Sequence, residues 1–100
     1  MTFRIERTVK ARGDLLDIWL SIAVDNVEAA DRQLRKIDNA IEALADYPRS
    51  GRLREDILPD ARAVLRMPHL IFYRVDEENQ IIQVIRIIDG RRDIGKLLTS

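Results

Sequence analysis

Two kinds of hydrophobic periodicity occupy separate parts of this chain. From Ala11 to Ala45 the apolar residues recur at helical spacing; from Ala61 to Ile88 they come in short strand-like runs. Neighbouring helices followed by neighbouring strands predict an α+β architecture, an antiparallel-rich sheet with a helical hairpin packed on one face.

The elements follow from local pattern. Phe3 to Val9 alternates, with a break at Arg7, and predicts a first strand. Ala11, Leu15, Ile18, Trp19, Ile22 and Ala23 fall on one helix face, and Leu16 and Leu20 widen it. Asp25 reads as the N-cap of a second helix, with Glu28 three residues on. Val27, Ala30, Leu34, Ile37, Ala40, Ile41 and Leu44 carry that helix to Ala45, and so short a break predicts an antiparallel pair. Tyr47-Pro48-Arg49-Ser50-Gly51 ends it, and Arg52 to Asp60 reads as a polar connection. Strands are expected over Ala61–Met67 and Leu70–Val75, separated by Pro68-His69. A third, Gln80–Ile88, closes a hairpin through Asp76-Glu77-Glu78-Asn79. Asp89-Gly90 turns the chain toward a short helix over Asp93–Leu98. The order is β-α-α-β-β-β(-α) in a single domain over residues 1–100, without repeat or linker.

Composition narrows the function classes. With 46% hydrophobic and 34% charged residues, the chain reads as an ordinary globular protein. No apolar run approaches the ~20 residues a bilayer span needs, so no membrane role is expected. Met1-Thr2-Phe3-Arg4 lacks the charged-then-apolar pattern of a secretory signal, and a cytoplasmic location is the expectation. The absence of cysteine excludes a disulfide framework and a thiolate zinc site. A net charge of zero predicts no broad attraction to nucleic acid.

Few residues offer chemistry. The single histidine, His69, follows Pro68 between two strands and reads as a surface turn residue. Ser21 lies in a helix, Ser50 in a Pro-Gly turn, and neither has a base placed beside it. The four glycines stand apart at 13, 51, 90 and 95, so no phosphate loop is present. No metal site or cofactor is expected, and the carboxylates read as solvated charge. What remains is arginine. Arg62, Arg66, Arg74 and Arg86 lie in strand-like runs, each a rigid fork suited to phosphate or carboxylate. Arginines can stabilise a phosphorane if another group moves the proton, and Tyr73 and His69 are the candidates nearby. Tyr73, inside Leu70-Ile71-Phe72-Tyr73, reads equally well as core. Arg91, Arg92 and Lys96 form a further basic cluster.

Several segments together carry a family resemblance: Tyr47-Pro48-Arg49-Ser50-Gly51, Ala61-Arg62-Ala63-Val64, Leu70-Ile71-Phe72-Tyr73-Arg74-Val75 and Ile85-Arg86-Ile87-Ile88-Asp89-Gly90-Arg91-Arg92-Asp93. In this order, and over nearly the whole chain, they resemble the RelE/ParE superfamily of type II toxin–antitoxin toxins. RelE-like members are ribosome-dependent mRNA endonucleases with a Tyr or His near the C-terminus; ParE-like members keep the fold and poison DNA gyrase. No Tyr or His follows Tyr73 here, and Asp89-Gly90 stands where relatives often have His. The resemblance therefore implies a ParE-like, non-enzymatic gyrase inhibitor neutralised by a ParD-like antitoxin. An RNA endonuclease using Arg62, Arg66 and Arg86 is the alternative. It further implies gyrase contacts at Arg91, Arg92 and Lys96, and no sequence-specific nucleic-acid binding by the toxin alone. Leu16, Trp19 and Leu20 are expected to meet the antitoxin, since the first helix has more apolar surface than one core face needs; Trp19 reads equally as core.

Overall fold

Thr8 is where the chain changes from strand to helix. Its hydroxyl accepts the Ala11 amide at 3.0 Å, capping the helix, and donates to the Ile85 carbonyl at 2.7 Å. In the computed structural model, which describes residues 2–92, β1 (Arg4–Arg7) therefore stops early and Val9 begins α1 (Val9–Ala23). The strand expected to reach Val9 is shorter because the Thr8 cap overrides valine's preference for extended backbone.

The second helix, α2 (Val27–Ala43), is capped by Asn26 rather than Asp25. Asn26 has the extended backbone of a cap and accepts the Ala29 amide at 3.0 Å, whereas the Asp25 amide still closes the last turn of α1 onto Ile22. The two helices pack together as a hairpin, pinned where Trp19 Nε1 donates to Asp31 at 2.8 Å.

Four more strands follow: β2 (Arg52–Leu53), β3 (Arg62–Arg66), β4 (His69–Asp76) and β5 (Ile81–Asp89). The sheet order is β1-β5-β4-β3-β2. Among the described residues only β1 pairs in parallel, Arg4 to Arg7 lying beside Ile81 to Val84; the other pairings are antiparallel. The two-residue β2 arises inside the segment expected to be a plain connection. Asp89 belongs to β5, opposite His69, and not to the following turn.

The main core lies between the helices and the sheet, where Leu15, Ile37, Ile41 and Leu44 meet Ile71, Tyr73, Ile82 and Val84. Phe72, Ala63 and Ile88 face the other way and pack with Leu70 and Ile57, so the loop after β2 covers part of the second face. At about 25 cal/mol per Å² of apolar surface removed from water, burying such side chains is the principal stabilising term. The register slips between Phe72 and Tyr73, which pair with Arg86 and Val84, leaving Ile85 as the extra residue of a bulge.

Candidate functional site

Tyr73 is fully buried, and its hydroxyl donates to the Pro48 carbonyl at 2.8 Å while accepting the Gly51 amide at 2.9 Å. The Pro48–Gly51 turn is folded over this one oxygen. Gly51 has to be glycine for lack of space, since a Cβ there would stand 2.5 Å from Tyr73 Oη. Arg62 completes the knot by donating from Nη1 to the Gly51 carbonyl at 2.9 Å. Burial pushes the Tyr73 phenol up, against the opposing pull of the Gly51 amide and Arg62.

His69 is not the surface turn residue its position after Pro68 suggests. It opens β4, is buried, and its Nδ1 lies 2.9 Å from Gln33 Nε2. An amide nitrogen only donates, so Nδ1 serves as an acceptor, sharing the two Gln33 hydrogens with the carbonyls of Arg66 and Met67, each at 3.2 Å. Burial lowers the His69 pKa more than neighbouring Asp89 raises it, favouring the neutral ring. Both candidate proton carriers are thus held by structural hydrogen bonds.

The sheet arginines do not converge. Arg86 makes a two-pronged pair with Asp14 of α1 at 2.8 and 3.0 Å, and the same carboxylate accepts the Ile87 amide at 2.9 Å. Thr8 and Asp14 therefore take over the hydrogen bonding of β5 where β1 ends, closing an edge that would otherwise be open. Arg66 is exposed on β3, donating to its neighbour's carbonyl, and Arg74 donates to Pro59 at 3.0 Å. Around Arg62 and Arg74 lies an open cleft of about 760 Å³. Its lining holds Glu6, Glu55, Asp60, Asp76, Glu77 and Glu78 against Arg49, Arg62 and Arg74. Carboxylates outnumber guanidinium groups there, which disfavours a polyanion.

At the end of β5, Arg91 clasps Asp89 through Nε and Nη2, at 2.9 and 2.6 Å, and holds its carboxyl well below the usual carboxylate range. Arg91 and Arg92 are both exposed. Lys96, the third member of the expected cluster, and the short helix over Asp93–Leu98 lie outside the described residues.

The outer face of α1 is the other candidate surface. Val9, Leu16, Leu20 and Val24 are 76%, 58%, 50% and 84% exposed and, with Gly13, form one stripe at helical spacing. Ala11 and Leu15 point the opposite way into the core. Leu16 and Leu20 thus stand clear of the fold as expected, whereas Trp19 is half-buried on the flank toward α2. Sequence reasoning missed Val9, assigned to the strand, and Val24, which it left out of the helix face; their spacing from Leu16 and Leu20 was the available signal. It also missed Asp14 and Gln33, whose partners lie far away in sequence. Among the described residues no helix is long and apolar enough to cross a membrane.

Comparisons with known proteins agree with this architecture. The family profile described as ParE toxin of type II toxin-antitoxin system, parDE, matches residues 5–94. Toxin ParE3 of Caulobacter vibrioides is 33% identical over 96 residues, spanning 95% of this chain and 94% of that protein. A toxin named ParE1 from Mycobacterium tuberculosis is 33% identical over 100 residues, spanning 98% of this chain and all 100% of its own length. Among solved structures, the chromosomal ParDE system from P. aeruginosa superposes with a TM-score of 0.74 at 25% identity, covering 88% of this chain and 96% of that one. A double mutant of E. coli toxin RelE in the free state shares the fold at a TM-score of 0.65 and 16% identity, over 98% of this chain and 94% of that one.

Proposed function

The chain belongs to the ParE family of type II toxin–antitoxin toxins, and from that membership we propose that it arrests growth by binding DNA gyrase rather than by cutting RNA. The observation that carries the choice is the state of Tyr73 and His69. A nuclease of this fold needs a group that moves a proton near its arginines. Here the phenol is tied to Pro48 and Gly51 and the imidazole to Gln33, while Arg86 is committed to Asp14. The acid-rich cleft beside Arg62 and Arg74 points the same way.

Arg91 and Arg92, exposed at the end of β5, supply the cationic contacts to the target. Of the two, Arg92 carries more of the contact, because the Arg91 fork already holds Asp89. A ParD-like antitoxin neutralises the toxin by laying an amphipathic helix along the outer face of α1, where Leu16 and Leu20 await cover. The protein works in the cytoplasm, where gyrase is found, and needs no cofactor.

The test is induction of the chain alone in a bacterial host, followed by a supercoiling assay with purified gyrase. Growth arrest with DNA breaks and lost supercoiling is expected. Arrest with intact supercoiling and cleaved mRNA would replace this reading with the endonuclease one.

A further inference from the structure

The apolar stripe on α1 is close to symmetric about its own middle, and the charges at its two ends are of opposite sign, so that an antiparallel second copy complements them there; Asp17, exposed beside Leu16, is the charge that opposes such a contact near its centre. We propose that, without an antitoxin, the outer face of α1 pairs with α1 of a second copy of this chain, antiparallel, about a two-fold axis near Leu16. In that arrangement Val9 falls opposite Val24 of the second copy. Leu20 lies over Gly13 of the second copy, a position where nothing of the chain's own fold comes within 4 Å of a Cβ. The face is then self-complementary, as a two-fold interface requires.

Charge gives the second and independent argument. Lys10 and Arg12 stand at the N-terminal end of α1, and its first turn holds no acid; its last turn holds no base, and Asp25 follows it. This is the reverse of what the helix's own dipole favours. An antiparallel second copy removes the conflict, because its C-terminal end and its Asp25 then lie beside Lys10. A parallel arrangement would instead set Lys10 against Lys10. The contact is one pair of four-turn helices, below the area of a standard interface, so the dimer is weak and concentration-dependent. It occupies the face assigned above to the antitoxin, so the two occupants exclude one another; the argument itself uses only this chain's own residues and does not depend on the gyrase reading.

Sedimentation velocity on the full chain alone, refolded from denaturant where toxicity limits expression, decides the matter. Between about 1 and about 500 μM at low salt the mass should rise from 11.6 kDa toward twice that value. Leu16→Glu should remain monomeric throughout with an unchanged circular dichroism spectrum, and Leu20→Lys should do the same. Lys10→Glu should weaken the dimer about tenfold, since two exposed ion pairs become repulsions. Lys10→Glu combined with Asp25→Lys should restore it, which loss of folding would not. A wild type that stays monomeric at the highest concentration overturns the proposal. So does a dimer indifferent to Leu16→Glu, or a double variant no tighter than Lys10→Glu.

Discussion

Replacing Gly51 by alanine should destabilise the protein by about 3 kcal/mol, although glycine-to-alanine changes often stabilise. The added Cβ would lie 2.5 Å from Tyr73 Oη and 2.7 Å from Cε1, far inside ordinary contact, and Tyr73 is fully buried with little freedom to retreat. Overpacking of that kind costs about 1–3 kcal/mol. Moving the ring also breaks the hydroxyl's bonds to Pro48 and Gly51, at about 1 kcal/mol each. Against this stands the reduced freedom of the unfolded chain, worth roughly 0.4–1 kcal/mol. Tyr73→Phe removes the hydroxyl without the clash and should cost about 1–2 kcal/mol, leaving a buried amide and carbonyl unpaired. The two changes share one cause, so the double variant should cost clearly less than their sum, by about 1 kcal/mol or more. Urea unfolding at constant m value measures all three. A Gly51→Ala protein within about 0.5 kcal/mol of wild type, or strictly additive effects, would refute the account.

Asp14→Ala should cost about 2–3 kcal/mol, because it strips Arg86 and the Ile87 amide of their shared acceptor; an unchanged urea midpoint would contradict this. His69, lowered by burial, contributes stability in full above its unfolded value of about 6.5, and that contribution is lost as pH falls below it. Wild type should therefore lose more stability than His69→Gln between about pH 7.5 and about pH 5.5, and equal losses in chemical denaturation would dismiss the point. On the proposed function, Arg92→Glu should relieve gyrase inhibition without altering the thermal midpoint. Full inhibition by that variant would remove Arg92 from the target surface.

Much of the architecture was legible because it rests on local pattern. The α2 stripe from Val27 to Leu44, the punctuation at Pro48 and Gly51, and the hairpin through Asp76–Asn79 all declare themselves within a dozen residues. What escaped was decided at a distance. Val9 follows an alternating run and reads as strand until the Thr8 hydroxyl is seen to cap the helix. His69 sits beside Pro68 and reads as exposed until Gln33, 36 residues earlier, is found against it. Gly51 was recognisable as a turn glycine, but the reason no other residue fits is the oxygen of Tyr73, 22 positions away. The same holds for the candidate site. Leu16 and Leu20 showed as surplus apolar surface, whereas the removal of Arg86 from the sheet depends on Asp14, 72 residues before it.

The seam joining Thr8 and Asp14 to Ile85, Arg86 and Ile87 also has a consequence for synthesis. β5 lies between β1 and β4, so the strands made first and next to last both wait for the last one. While the ribosome is still short of Ile81, the nascent chain holds a helical hairpin and a partial sheet, with nothing for β1 to pair with and no acceptor for the Thr8 hydroxyl. Contacts spanning 72 to 77 residues can form only after that point, and closing so long a loop is slow. The protein therefore acquires its finished surface late, in one step, and the interval before that step is the period in which a partner can meet it unformed.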